Sequence, residues 1–236
     1  MKRVFLLLLI QALLPLWGQE PREVEVRTLC FRYSAGLKEV TLSGDVDGVS
    51  QVKCDLKKYL DVNQQKMTLI GNEIRVGEPR DGGFESWGKV GIKKSLKEIL
   101  LVFFPSEDAE APYHIVAFDD SAKGFPLGSF LIANINPEPL RLVIGEQKIQ
   151  INSGTSELVS DLKNVRANGQ VPYYAYVKEG DDWKRLSSGF WTVVKRKRNF
   201  QVAFRNTKTK RVDLRGYDDT FPIFKDLLRK QENAQR

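Results

Sequence analysis

The chain has few of the side chains that most often carry chemistry. Its 236 residues include a single histidine, His114, and two cysteines, Cys30 and Cys54. A structural zinc ion takes four Cys or His ligands, so the sequence holds too few for such a site. His114 alternates with Val116 and Phe118 along a predicted strand, and we interpret it as structural and not as a catalytic base. The composition predicts no metal and no cofactor.

Motifs for nucleotide binding and for hydrolase chemistry are lacking as well. The sequence has no Gly-x-Ser-x-Gly elbow, and Lys123-Gly124 lacks the flanking residues of a phosphate loop. Carboxylate doublets occur at Asp119-Asp120, Asp181-Asp182 and Asp218-Asp219. Neighbouring residues of a strand point to opposite faces, and Asp is favoured at turns, so these doublets are poor acid/base pairs. We therefore predict that the protein is not an enzyme.

Long apolar runs are also missing. A membrane-spanning helix needs about 20 apolar residues, whereas the longest run here extends from Val4 to Leu14. It follows a basic N-terminus and precedes a small residue, which is the pattern of a signal peptide over residues 1–18, cut near Gly18/Gln19. We therefore predict a periplasmic or secreted protein with no transmembrane span in the mature chain.

The sequence has no Asn-x-Ser/Thr acceptor for N-glycosylation, which favours a bacterial envelope protein over a eukaryotic secreted one. In an oxidising compartment, Cys30 and Cys54 are candidates for a disulfide. The bridge would close a loop of about 24 residues and stabilise the fold by roughly 3 kcal/mol. Two buried thiols in neighbouring strands are the alternative interpretation, and the spacing leaves both open.

Short apolar runs bounded by turn residues fill most of the chain. They are clearest in the stretch Gly128–Val159, where strands rich in Ile, Leu and Val alternate with turns. Gly71 and Gly145 supply the positive φ that two-residue loops require, which predicts hairpins over residues 67–76 and 140–151. This pattern is typical of antiparallel sandwiches. We predict an all-β protein of two tandem immunoglobulin-like β-sandwich domains with a short C-terminal helix.

The polar segment 119–126 is the best candidate for a linker between the two domains. It predicts an N-terminal sandwich over residues 19–122 and a C-terminal sandwich over residues 123–217. Residues 218–236 change character, because apolar side chains recur there at helical spacing. We assign them to a C-terminal helix and tail.

The Gly128–Val159 stretch resembles a segment of uncharacterised exported bacterial proteins. These carry a Gly-Ser-Phe-type strand that ends in Asn, then a turn and an apolar hairpin, and here Gly128-Ser129-Phe130 and Asn134 stand in those places. The resemblance covers about 30 residues and implies an immunoglobulin-like β-sandwich. It implies no activity.

Positive charge is concentrated in one segment of the chain. Eleven Lys and Arg residues and a single acid, Asp213, lie between Lys184 and Arg215. Two predicted turns hold most of them and form a candidate anion-binding surface: Lys195, Arg196, Lys197, Arg198, Lys208, Lys210 and Arg211. A solvated basic edge that discourages strand-to-strand aggregation is the alternative. In a meander the two turns can also lie at opposite ends of the sheet.

These patterns predict an exported, non-catalytic binding or scaffolding protein of the bacterial envelope. The basic segment would contact an anionic polysaccharide, a membrane surface or an acidic protein. Nucleic acid is not an expected partner, because the signal peptide takes the protein away from it. The alternative is a carbohydrate-binding or carbohydrate-active sandwich in which Trp87, Trp183 and Trp191 serve as platforms for sugars.

Overall fold

The computed structural model describes residues 20–234, except residues 35, 61, 82, 109, 207 and 208. The predicted signal peptide and Lys208 therefore lie outside the described residues. Within the described part the chain forms sixteen strands and one helix. The first eight strands are β1 (Arg22–Cys30), β2 (Glu39–Ser43), β3 (Gln51–Asp55), β4 (Gln65–Leu69), β5 (Glu73–Arg80), β6 (Gly83–Gly91), β7 (Glu98–Pro105) and β8 (Tyr113–Asp119).

The second half of the described chain repeats this pattern and adds the helix. Its elements are β9 (Phe130–Asn134), β10 (Leu140–Ile144), β11 (Gln147–Ile151), β12 (Thr155–Val159), β13 (Gln170–Glu179), β14 (Asp182–Thr192), β15 (Arg198–Arg205), β16 (Val212–Asp219) and α1 (Phe221–Ala234). Strands β1–β8 form the first sandwich and β9–β16 the second. The all-β prediction of two sandwich domains with a short C-terminal helix is confirmed.

The two sandwiches have the same strand order. In the first, the inner sheet runs β4-β1-β7-β8 and the outer sheet β3-β2-β5-β6. In the second, the inner sheet runs β12-β9-β15-β16 and the outer sheet β11-β10-β13-β14. Each inner sheet contains one parallel pair, β1 with β7 and β9 with β15. The seventh strand of each half therefore returns beside the first, and each sandwich is built from strands of its own half.

The four sheets stack as four layers, because the two inner sheets pack face to face. Three separate apolar clusters fill the spaces between layers. The middle cluster joins the two domains and consists of Leu29, Phe31, Leu100, Val102, Phe104, Phe118, Phe125, Leu131, Ala133, Phe200, Val202 and Tyr217. Strand β7 lies in an inner sheet, so its run of Ile, Leu, Val and Phe is buried on both faces.

The break between the sandwiches lies between β8 and β9, in the segment where the sequence predicts a linker. Asp218 and Asp219, assigned from the sequence to the helical tail, are instead the last residues of β16, and α1 begins at Phe221. Among the described residues, no helix combines the length and the apolar character that crossing a membrane requires.

The two predicted hairpins have different outcomes. Strands β10 and β11 pair around Gly145, whose φ is 58°, as expected. The hairpin over residues 67–76 is wrong, because β4 pairs with β1 of the inner sheet whereas β5 pairs with β2 and β6 of the outer sheet. Gly71, with a φ of 98°, makes the corner between the two sheets.

The predicted disulfide is also wrong, because Cys30 and Cys54 are unpaired. Cys30 ends β1 of the inner sheet and Cys54 lies on β3 of the outer sheet. Both are buried in the core of the first sandwich, so the alternative of two buried thiols is confirmed, although they lie in facing sheets. Burial raises the pKa of Cys54 to about 12, with a further contribution from Asp55. Both side chains act as small apolar groups of the core.

Candidate functional site

The basic residues singled out from the sequence have unequal surroundings. Lys195 and Arg196 are exposed in the turn between β14 and β15. Lys197 is half-buried, and its Nζ lies 3.0 Å from the Asp218 carboxylate. Arg198, the first residue of β15, is 0% exposed. It cannot meet a partner in solution, and the predicted anion-binding surface loses this residue.

The remaining basic residues lie far from that turn. Lys210 and Arg211 are exposed in the connection from β15 to β16, at the other end of β15. Eight residues at about 3.3 Å each separate the two ends by roughly 25 Å. The structure therefore does not bring Lys195 and Arg196 together with Lys210 and Arg211 in one patch.

Arg198 belongs to a buried group of four charged side chains, which we call the ion quartet: Arg27, Asp120, Arg198 and Asp219. Arg27 Nε lies 2.7 Å from Asp120 Oδ2, and Arg27 Nη2 lies 2.7 Å from Asp219 Oδ2. Arg198 contacts the same two carboxylates, with its Nε 2.8 Å from Asp219 Oδ2. It also donates from Nη1 to the backbone carbonyls of Asp120 and Phe125, at 2.9 and 2.8 Å.

The quartet has two positive and two negative side chains, so its formal charge is zero. Burial lowers the pKa of Arg27, but the charges and hydrogen bonds of Asp120 and Asp219 outweigh it and raise the pKa above the ordinary value. Arg27 therefore stays charged. Each of the two arginines contacts an aspartate of its own half of the chain and one of the other half. The quartet is a contact between the sandwiches, and its saturated hydrogen bonds leave it little capacity for a ligand.

A second charged region of the same interface is open to solvent. It is a pocket of about 450 Å³ at the carboxyl ends of β1, β7 and β15, which we call the cationic pocket. Four basic side chains surround an apolar floor, and no Asp or Glu of the described chain lines it. Its lining is Phe31, Arg32, Lys58, Phe104, Pro105, Ile135, Phe204, Arg205, Asn206 and Arg215.

Three aromatic rings from both sandwiches make the floor of the cationic pocket. The Phe31 ring centroid lies 4.5 Å from that of Phe204 and 5.6 Å from that of Phe104. The Arg215 guanidinium lies 4.9 Å from the Phe31 ring centroid, and its Nη1 donates to the Phe31 carbonyl at 3.1 Å. A cation thus stands directly beside an apolar surface, in a fixed position.

The other three cations differ in how they are held. Arg205 forms an ion pair with Glu138, and hydrogen bonding from Arg205 lowers the pKa of that carboxyl below its usual range. Lys58 is exposed, with its Nζ 4.4 Å from the Tyr33 ring centroid. Arg32 is exposed as well. The pocket therefore keeps a positive potential after the Arg205–Glu138 pair is discounted.

A scan against protein-family models finds no match to the chain. A search of curated proteins finds none either. The assignment of a function therefore rests on the chemistry of the cationic pocket and its neighbours.

The three tryptophans proposed as sugar platforms do not form a common groove. Trp191 packs between Phe130 and Tyr173, with ring centroids 5.1 and 4.6 Å away. Trp87 is half-buried in the first sandwich, and Trp183 lies under the Arg141 guanidinium, 3.9 Å from its ring centroid. Each ring is engaged in packing at a different place, which gives no support to a tryptophan-lined sugar site.

Of the seven candidate anion-binding residues chosen from the sequence, none of the described ones lines the cationic pocket. Arg205 and Arg215 belong to the basic segment between residues 184 and 215, so the sequence shows that they lie in a region of concentrated positive charge. Phe31, Arg32 and Lys58 come from the first sandwich, where no pattern in the sequence marks them. They join the site because the inner sheets pack with β1 facing β15 and β16, which the sequence does not reveal.

Proposed function

We propose that the protein is an exported, non-catalytic binding protein of the bacterial envelope, and that the cationic pocket holds an anionic partner that also carries an apolar group. The supporting observation is the combination of four cations with three phenylalanine rings, without a lining carboxylate, in about 450 Å³. Pockets of roughly 300–1,000 Å³ with an apolar floor and a few placed polar groups are typical small-molecule sites.

This proposal narrows the partners expected from the sequence. An anionic polysaccharide offers charge without an apolar group, and it would leave the phenylalanine floor in contact with water. A lipid headgroup or an acidic protein side chain beside an apolar neighbour fits the pocket better. The two exposed turns then contribute to binding only by long-range attraction of the anionic partner, which salt screens over about 8 Å. Their basic residues are Lys195, Arg196, Lys210 and Arg211.

The proposal is tested with 2-naphthoate as the anionic aromatic probe and 2-naphthalenemethanol as its neutral analogue. Calorimetric titration at pH 7 should show the carboxylate binding about tenfold more tightly, because only the carboxylate meets the cations. The double variant Arg32→Gln/Lys58→Gln should weaken naphthoate binding by about tenfold, on the order of 0.7 kcal/mol for each exposed charge.

The matched control is Lys195→Gln/Arg196→Gln, which removes the same charge from an exposed turn away from the pocket. It should change the affinity for naphthoate by less than twofold. Equal losses from the two double variants would mean that only net charge counts. Equal binding of the two probes would exclude an anion-binding pocket.

A further inference from the structure

The outer sheet of the second sandwich, β11-β10-β13-β14, turns one face to the core and the other outward. Along β13, Val171, Ala175 and Val177 are buried, so the alternate positions of this strand point outward. Residues paired across neighbouring strands share a face, which extends the outward set to the other three strands. Four aromatic side chains stand on this face: Tyr174, Tyr176, Trp183 and Phe190.

Cations share the outward face with these rings. Those on the strands are Arg141, Lys148, Lys178 and Arg185. The outward positions of the four strands include no Asp and no Glu. A fifth cation, Arg166, comes from the loop before β13 and lies over the ring of Phe190. We call the surface formed by the three arginines and the four aromatic residues the arginine–aromatic face.

Two of the arginines are held against aromatic rings. The guanidinium carbon of Arg141 lies 3.9 Å from the ring centroid of Trp183, and that of Arg166 lies 4.1 Å from the ring centroid of Phe190. Neither guanidinium forms an ion pair or a hydrogen bond with another described residue. A guanidinium stacked on a ring keeps the N–H donors at its edges free. Both side chains therefore hold a positive charge in place with donors left for an anion.

The third arginine, Arg185, lies in the middle of the face. Its guanidinium carbon is 5.6 Å from the ring centroid of Tyr174, and its Nη2 donates to the hydroxyl oxygen of Ser188. Because this partner is neutral, the charge of Arg185 is not compensated. Tyr174 and Phe190 are 43% and 47% exposed. The face therefore presents positive charge and apolar ring surface side by side.

The equivalent face of the first sandwich is built differently. Its outer sheet, β3-β2-β5-β6, also carries outward cations, but carboxylates stand beside them. Lys53 Nζ lies 2.6 Å from Glu39 Oε1, and Arg75 Nη2 and Lys89 Nζ lie 3.2 and 3.3 Å from the Glu73 carboxylate. The two sandwiches have the same strand order, so the fold alone does not produce an unpaired cationic face. The second sandwich has aromatic rings where the first has acids.

We propose that the arginine–aromatic face binds the surface of an anionic phospholipid bilayer. The cations only donate hydrogen bonds and a phosphate diester only accepts them, so the two are complementary. An anionic bilayer attracts each cation close to it, and Trp and Tyr are enriched at membrane–water interfaces. The rings of Tyr174 and Phe190 lie between the headgroups and lose contact with water. An acidic polysaccharide fits less well, because its hydroxyl groups need acceptors and its charges need no apolar neighbour.

This binding is separate from that of the cationic pocket, since no residue of the arginine–aromatic face lines the pocket. Sedimentation of the full chain with phospholipid vesicles tests it. Vesicles of equal parts phosphatidylglycerol and phosphatidylcholine should bind the protein about tenfold more tightly than vesicles of phosphatidylcholine alone, because only the former attract cations. Tyr174→Ser/Phe190→Ser should weaken binding to the anionic vesicles by about tenfold, since ring surface stays in water.

The decisive variant is Arg141→Gln/Arg166→Gln/Arg185→Gln. It should weaken binding to the anionic vesicles by about 100-fold, because each cation near an anionic surface contributes roughly fivefold. The matched control, Lys53→Gln/Arg75→Gln/Lys89→Gln, removes the same charge from the equivalent face of the first sandwich and should weaken binding by less than about threefold. All the proteins have the same N-terminus, so the apolar run at residues 4–14 contributes equally to each.

Three results would overturn the proposal. Equal losses from the two triple variants would mean that only net charge attracts the bilayer. Equal binding of the wild type to both kinds of vesicle would mean that the headgroup charge is not recognised. Loss of binding to alginate in the arginine variant, with vesicle binding unchanged, would identify the face as a surface for an acidic polysaccharide.

Urea unfolding should be nearly unchanged in the arginine variant, because the substitutions lie outside the core. If that variant does not fold, Arg166→Gln alone should weaken vesicle binding by about fivefold, and an unchanged affinity would overturn the proposal. The arginine variant should bind naphthoate as the wild type does. Failure of vesicle binding therefore leaves the proposed function standing, and failure of naphthoate binding leaves this proposal standing.

Discussion

At the scale of single residues, Arg27 and Arg198 are buried arginines whose charges are paired between the two sandwiches. Each contacts Asp120 and Asp219, and the four side chains are buried between the sandwiches. A buried ion pair adds little net stability over a well-packed apolar group, yet removing one partner costs several kcal/mol because the other charges stay buried. Replacing any one of the four side chains by an uncharged one should therefore destabilise the fold.

The ion quartet predicts a loss of stability in acid. Burial raises the pKa of Asp219, but hydrogen bonds and charge from Arg27, and the charge of Arg198, outweigh this and hold the pKa below its ordinary value of 3.8. A carboxyl with a lower pKa in the folded state stabilises the fold above its unfolded pKa, and this contribution disappears as the pH falls through the folded value. We expect the contribution of Asp219 to the free energy of unfolding to be constant from pH 5 to 7 and to decrease below about pH 4.

Urea unfolding between pH 2 and 7 measures this dependence. Asp219→Asn should be less stable at pH 7 and should show a shallower decrease in acid than the wild type. Asp218→Asn, which alters the adjacent exposed carboxyl paired with Lys197, is the control and should keep the wild-type slope. A wild-type slope in Asp219→Asn would show that other acids account for the loss.

At the scale of elements, the described contacts that fix α1 to the domains come from its first five residues. Phe221 is buried, with its ring centroid 4.1 Å from the Arg27 guanidinium carbon, and its backbone N donates to Asp219 Oδ1 at 2.9 Å. Lys225 reaches the inner sheet, with its Nζ 2.6 Å from Glu25 and 2.8 Å from Glu98. Leu227, two residues further along, is 53% exposed.

Truncation should distinguish these two parts of the tail. Deleting residues 227–236 should change the free energy of unfolding by less than about 1 kcal/mol, because the described side chains it removes are exposed. Deleting residues 218–236 should abolish the native transition, since it also removes Asp219 and Phe221 from the interface. Circular dichroism and urea unfolding of the two proteins give the comparison. A stable fold without residues 218–236 would contradict the anchoring role of Asp219 and the first five residues of α1.

The glycine turns at residues 71 and 145 show a limit of local patterns at this scale. Both follow an apolar strand, both have positive φ, and the sequence around them is similar. One closes a hairpin, and the other carries the chain from the inner sheet to the outer sheet. The turn chemistry fixes the local conformation, whereas the partner of each strand depends on which apolar face has to be covered.

At the scale of the whole molecule, an apolar cluster and the ion quartet join the inner sheets of the two sandwiches, and we expect them to unfold together. Arg198→Met should therefore destabilise the entire protein by about 3–5 kcal/mol, since it leaves two buried carboxylates with one cation. The control Arg196→Met, two residues earlier and exposed, should stay within about 0.5 kcal/mol.

Urea unfolding followed by circular dichroism and by tryptophan fluorescence measures both variants. Trp87 reports on the first sandwich, and Trp183 and Trp191 report on the second. Wild-type transitions from the two probes should coincide. Equal stability of Arg198→Met and Arg196→Met would show that the quartet contributes nothing to the contact between domains.

The sequence by itself determined the fold class, the presence of two sandwiches and the short C-terminal helix. Period-2 apolar patterns, glycines at turns and an apolar face at helical spacing act over a few residues, so the order of the chain displays them directly. It also showed that Arg205 and Arg215 lie in a strongly basic segment.

Only the tertiary structure decided which of those charges face water. Arg196 and Arg198 are two residues apart, yet the first is exposed in a turn and the second is buried between the inner sheets. The cationic pocket likewise joins Phe31 and Lys58 to Phe204 and Arg215. The physical reason is that the burial of a side chain and its contacts depend on how the sheets pack against one another. That packing is set by contacts between residues far apart in the chain.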